Sequence, residues 1–152
     1  MYMISLILAV ISLGLASYED FRTRMVSNYV WWIFSAGLLM MLSGGRKMDY
    51  LDIAGCILPV FIQEFIMSRA YGRADSHAFS CCAVFLNLAG FGLEGHILHM
   101  SLSLGLLTFV QILRRNIGRN LKLKVPVPFI PYIAAAFFFT VLSGYFVKLQ
   151  IC

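Results

Sequence analysis

Apolar residues run in long blocks along this chain, and short polar interruptions divide them into six segments: Tyr2–Tyr18, Asn28–Leu42, Leu51–Ser68, Ser76–Gly92, His96–Leu113 and Pro128–Val147. A bilayer core takes about 20 apolar residues per helix, down to roughly 17. The pattern therefore predicts an all-α, polytopic membrane protein with six transmembrane helices. Residues 1–152 leave no room for a separate soluble domain, so one membrane domain is expected. The second segment is short, and Tyr29, Trp31 and Trp32 beside it suit an interfacial aromatic belt. The first segment has neither a basic start nor a small-residue cleavage pattern and is read as a retained helix.

Composition supports this reading. Hydrophobic residues make up 61% of the chain and charged residues 12%, against about 45–50% and about 25% in soluble domains. Charge also orients the segments. Of the 12 Lys and Arg, the odd-numbered connections hold Arg22, Arg24, Arg69, Arg73, Arg114, Arg115, Arg119, Lys122 and Lys124. The other side holds Arg46, Lys47 and Lys148. Positive connections stay in the cytoplasm, so both termini are expected on the non-cytoplasmic side. The basic run Arg114–Val125 suits anionic lipid. It lacks interleaved aromatics for base stacking, and the chain has no phosphate-binding glycine motif, so neither nucleic acid nor nucleotide is an expected partner.

Two acids stand out in the polar breaks: Asp20 in Tyr18-Glu19-Asp20-Phe21-Arg22, and Asp75 in Gly72-Arg73-Ala74-Asp75-Ser76-His77. The charge rule, applied without them, places both at the cytoplasmic face. Two close carboxyls that cannot both ionise supply a base for water and an acid for a carbonyl, the chemistry of aspartic peptidases. They titrate as a pair, so sequence treats Asp20 and Asp75 as equals. Taken singly, Asp20 reads as an interfacial acid paired with Arg22 or Arg24, and Asp75 as the N-cap of the fourth helix.

Glu64, near the cytoplasmic end of the third segment, needs a partner. That partner is either Arg69 or Gln63 or, together with Glu19, the basic part of a substrate. His77 is placed either at the interface or on the aspartates. Cys56, Cys81 and Cys82 read as small buried residues, and Cys152 as a free thiol or lipidation site. His77, His96 and His99 lack metal-ligand spacing, so neither metal nor cofactor is expected. The glycines near Gly92 and Gly105 read as helix contacts or turns.

The stretch Asp20-Phe21-Arg22-Thr23-Arg24-Met25-Val26-Ser27-Asn28 resembles the D-x-R-x-x-x-I-P-N signature of type IV prepilin peptidases, membrane aspartyl proteases of the GxGD type. Gly72-Arg73-Ala74-Asp75 is similar to that family's G-x-G-D, and Pro128-Phe129-Ile130-Pro131 to its proline-rich entry to the last helix. The resemblance covers essentially the whole chain and is closest to the short, peptidase-only branch. It departs at Ser27, where the family has Pro, at Ala74, where it has a second Gly, and at Ser76 and His77. The resemblance implies cleavage of a prepilin or pseudopilin precursor at the cytoplasmic face of the plasma (inner) membrane. Without the cysteine-rich insertion of larger members, it implies no N-methylation. Asp20 and Asp75 are the implied catalytic pair, with Arg22, Asn28, Gly72, Ala74, Pro128 and Pro131 as motif support. The alternatives are an inactive assembly scaffold of the same fold or a small proton-coupled transporter.

Overall fold

The computed structural model describes residues 2–44, 48–117 and 127–151, with side chains left out at 116–117 and 145–151. The described residues form helices joined by short turns, with no strand among them. In chain order they form α1 (Tyr2–Thr23), α2 (Asn28–Ser43), α3 (Tyr50–Phe61), a π-helical stretch (Ile62–Met67), α4 (Ser68–Tyr71), α5 (Arg73–Leu88), α6 (Gly92–Ile117) and α7 (Ile130–Ile151). Three of these rods, Tyr2–Thr23, Tyr50–Tyr71 and Gly92–Arg115, are long and apolar enough to cross a membrane. Three are shorter in their described apolar part.

The helix limits differ from the hydropathy limits in ways that matter. α1 runs past Tyr18 to Thr23, so Asp20 lies on a helix and not in a loop. α5 starts at Arg73, not Ser76, and ends at Leu88. α6 begins at Gly92, ahead of His96. Sequence also missed the π turn. Pro59 sits inside α3, where it removes a backbone donor and crowds the preceding turn. The helix widens into π geometry three residues later, a distortion that such a proline invites.

α5 is the buried axis of the molecule. Phe79, Cys82, Phe85 and Leu86 are shut off from the surroundings and pack with Ala9 and Leu13 of α1, Phe34 of α2, and Ile133 and Phe137 of α7. Cys81 is buried as expected and Cys56 half-buried, whereas Cys152 lies outside the described residues. Small residues that permit close approach mark the helix contacts, as they do between helices packed in lipid. α1 shows this: Ser5, Ala9, Ser12 and Ala16 form its buried face. A Cβ on Gly37 of α2 would lie only 3.1 Å from the Ser5 carbonyl oxygen. Ser12 Oγ donates to the Val30 carbonyl at 2.7 Å. α3 meets α5 at Gly55, where a Cβ would come within 2.9 Å of Asn87 Oδ1, and Asn87 Nδ2 donates to the Asp52 carbonyl at 2.5 Å. Outward-facing Ile7, Leu39, Ile57, Phe109 and Phe139 are each exposed, an apolar surface compatible with contact to lipid.

Of the sequence features, the basic run lies mostly outside the described residues. Trp32 points outward, 75% exposed, as an interfacial anchor would. Trp31 turns inward and Tyr29 binds Glu19, so neither is only a belt residue.

Candidate active site

Asp20 continues the small-residue face of α1. It falls four residues after Ala16, one helical turn on, and is therefore drawn inside, 9% exposed. There its Oδ2 accepts the Ile130 backbone N–H at 3.2 Å. Ile130 is the first residue of α7, and the first four N–H groups of a helix have no partner within it. Pro131 in that first turn gives up nothing, because its missing N–H would have been one of those four. Thus the proline-rich entry supplies Asp20 with a backbone donor at the positive end of a helix, a setting that suits a carboxylate. Pro128 is buried and Pro131 half-buried beside it. Arg22 does not explain Asp20's place. Arg22 Nη1 donates to Tyr18 Oη at 3.2 Å, on the opposite face of α1, since two residues turn a helix by roughly 200°.

Asp75 is not the N-cap of α5. That position belongs to Gly72, with φ 108° and ψ 158°, in a region that is essentially glycine-only. Asp75 lies in the first turn, just outside the apolar segment that begins at Ser76. Burial pushes its carboxyl up to about 7, and the Asp20 charge adds to the rise. Ala74 stands in helical backbone and not at positive φ. The alanine in the family's second glycine position therefore carries no backbone strain here.

The three motifs converge beneath these acids. Ala16 and Val30 of the first pair of helices and Ile130 of α7 form one buried cluster, and Val26, Trp31 and Ala74 pack against it. Phe129 extends the floor, with its ring 5.6 Å from Phe79 and 5.9 Å from Tyr71. The two aspartates thus sit over an apolar, aromatic base at one end of the bundle.

No family model, curated protein or solved structure matches this chain. The assignment of the site therefore rests on the arrangement of its residues.

The remaining candidates divide. Glu19 is a structural clip: its Oε2 accepts the Ser27 N–H and its Oε1 the Tyr29 hydroxyl, each at 2.6 Å, which fixes the turn from α1 to α2. Glu64 pairs with neither Arg69 nor Gln63. Its Oε1 accepts from His77 Nδ1 at 2.9 Å, and Gln63 faces the other way, with Nε2 on Met100 Sδ at 3.2 Å. His77, two residues past Asp75, is rotated off the aspartates for the same helical reason as Arg22. Its ring instead meets Trp31 edge-on, centroids 5.0 Å apart. Asn28, Trp31, Glu64, Arg73, Ala74 and His77, with Val26, line an open cavity of about 360 Å³ beside Asp75. Trp31 and the Ile130 N–H are the site elements that sequence did not assign. The proline motif hinted at the second, and hydropathy pointed the first at lipid. His99 is structural, with Nε2 donating to the Ile133 carbonyl at 3.0 Å. Among the described residues, no three of His, Cys, Asp and Glu gather as a metal site.

Proposed function

We propose that this chain is a membrane aspartic endopeptidase of the prepilin-peptidase type. In this reading six helices span the plasma (inner) membrane, both termini are non-cytoplasmic, and Asp20 and Asp75 open to the cytoplasm. The substrate is a prepilin or pseudopilin precursor whose leader is removed at the cytoplasmic boundary. The observation that carries the reading is the unequal setting of two carboxyls drawn from distant motifs to one end of the bundle. Asp20 is held by the α7 N-terminus, and Asp75 is pushed toward keeping its proton near neutrality.

Environments that separate two acids define their roles. Asp20, as carboxylate, takes a proton from a water that attacks the peptide carbonyl carbon. Asp75, protonated, gives its proton to the carbonyl oxygen. The tetrahedral intermediate then collapses: the C–N bond breaks and the amine leaves with the proton that Asp20 collected. Asp75 recovers its proton from the intermediate's hydroxyl, so the pair ends as it began. A helical peptide bond is shielded by its own hydrogen bonds, so the substrate must unwind locally to reach the acids. No metal or cofactor has a step in this scheme.

A cleavage assay tests this reading. The chain is co-expressed with pilin-like precursors from its own genome, and leader removal is read as a mobility shift. Asp20→Asn and Asp75→Asn, at matched membrane levels, are each expected to lower processing at least about 10³-fold. If processing is absent with the wild type, or survives both substitutions, a non-catalytic assembly scaffold replaces the peptidase. A proton-coupled transporter is disfavoured because both acids lie at one end of the bundle and not at its middle.

A further inference from the structure

Two carboxyls that serve one peptide carbonyl must stand in a fixed relation, and the fold holds these two differently. Asp20 is pinned to the backbone of α7 by the Ile130 N–H. Asp75 has no hydrogen bond of its own among the described residues, so its reach depends on how the first turn of α5 is held. Ala74 rests on the buried cluster of Ala16, Val30 and Ile130. His77 Nδ1 donates to Glu64 Oε1 at 2.9 Å. Among the described residues, His77 is the only side chain in the first two turns of α5 that hydrogen-bonds another element. Its ring meets Trp31 edge-on, centroids 5.0 Å apart, and Trp31 packs on the same cluster as Ala74. Ala16 stands one turn before Asp20, and Ile130 is the residue that binds it. A line of contacts therefore runs from Glu64 on the π turn through His77 and Trp31 to the support of Asp20. Arg73, exposed one turn before His77, lines the same cavity as a permanent cation, yet the Glu64 carboxylate is bonded to His77.

We infer, building on the peptidase reading, that Glu64 and His77 are positioning residues, which brace the first turn of α5 against Trp31 and so set where Asp75 stands relative to Asp20. Neither touches the reacting atoms, since His77 is turned roughly 200° from Asp75 around the helix. An ion pair as open as this one contributes little to folding, so its consequence lies in placement. Misplacing a catalytic group by about 1 Å costs on the order of 10²-fold in rate. The His77 N–H is the donor, and Glu64 need only present an oxygen to it. The acceptor and not the charge of Glu64 is what the brace uses, so a glutamine can stand in for it.

The test uses the full chain in detergent with a synthetic precursor peptide spanning the leader junction. Glu64→Ala and His77→Ala are each expected to lower kcat about 10- to 10²-fold, with KM held within about twofold. Glu64→Gln is expected to recover most of the loss, and the double alanine variant to cost no more than either single one. Thermal midpoints are expected to change little. A loss that falls on KM, that tracks the midpoint, or that Glu64→Gln shares in full overturns the positioning role. A kcat loss in Arg73→Gln that matches Glu64→Ala and is absent from His77→Ala assigns Glu64 to Arg73 and overturns it too. A second readout needs no substrate. In a Trp32→Phe background Trp31 is the only tryptophan, and its emission is expected to change alike in Glu64→Ala and His77→Ala and to return in Glu64→Gln. Emission that Glu64→Ala leaves unchanged means that Glu64 does not hold the ring, which removes the brace and spares the peptidase. Absence of cleavage by the wild type removes the peptidase reading, and the positioning role with it, whatever the emission shows.

Discussion

Asp75 sits in the first turn of α5, where the helix field favours a negative charge, yet burial and Asp20 outweigh that field and set its carboxyl at about 7. The unfolded chain releases the same proton near about 4. Between those values the folded state binds more protons than the unfolded one, so stability is greatest below about 4 and falls as pH rises toward 7. A shift of this size corresponds to at most about 4 kcal/mol. Water reaches the open cavity, so about 1–2 kcal/mol is expected. Asp75→Asn carries no charge to bury. Wild type should therefore lose more thermal stability in detergent between pH 5 and pH 8 than Asp75→Asn does. Parallel loss in both proteins would mean that the burial of Asp75 is not the cause. Turnover should fall on the same alkaline limb as the pair loses its shared proton, at an apparent value that belongs to both acids. The two aspartates were legible from their motifs. Their inequality was not, because the donor that holds Asp20 comes from Ile130, 110 positions along the chain, and the burial of Asp75 comes from tertiary packing.

At the scale of elements, the junction between α4 and α5 separates two positions that a G-x-G-D pattern makes look alike. Gly72 has φ 108°, a conformation that costs an L-residue about 1–3 kcal/mol. Ala74 is one residue into a regular helix, where glycine costs about 0.5–1 kcal/mol relative to alanine. Gly72→Ala is therefore expected to lower the thermal midpoint clearly and Ala74→Gly only slightly, measured side by side in the same detergent. If the order reverses, the backbone assigned to this turn is wrong. The π turn shows a different limit of sequence reading. Pro59 announced an irregular helix, but neither its kind nor its consequence, the meeting of Glu64 with His77, follows from one proline. That pairing needs α5 alongside, and helical phase then decides which face of α5 answers. His77 lies roughly 200° from Asp75 and so faces the π turn.

For the whole molecule, hydropathy found all six rods but did not tell which of them is the buried axis. α5 is the least apolar of the long helices, and other helices surround it. Serine, cysteine and alanine suffice where Phe34, Phe85 and Phe137 close in. The up-and-down order brings the α1–α2, α4–α5 and α6–α7 junctions to one end, shown by the Asp20–Ile130 bond and by the packing of Ala74 with Val26 and Ile130. That end also displays Arg22, Arg24, Arg69, Arg73, Arg114 and Arg115, all exposed, the charge that the proposed orientation turns toward the cytoplasm. Sidedness can be measured without any substrate. Met25, 75% exposed, and the exposed Ala70 mark the site end, and the exposed Glu94 at the start of α6 marks the other. In Met25→Cys, Ala70→Cys and Glu94→Cys variants, a membrane-impermeant maleimide should label the first two in inverted membrane vesicles and the third in spheroplasts. The unaltered chain controls for its own thiols, of which Cys81 and Cys82 are buried. Labelling of Met25→Cys and Ala70→Cys from opposite sides would break the bundle topology itself. Labelling of both from the outside would keep the bundle but turn the aspartates away from a cytoplasmic leader, leaving a fold with two acids and no access to the substrate proposed for them.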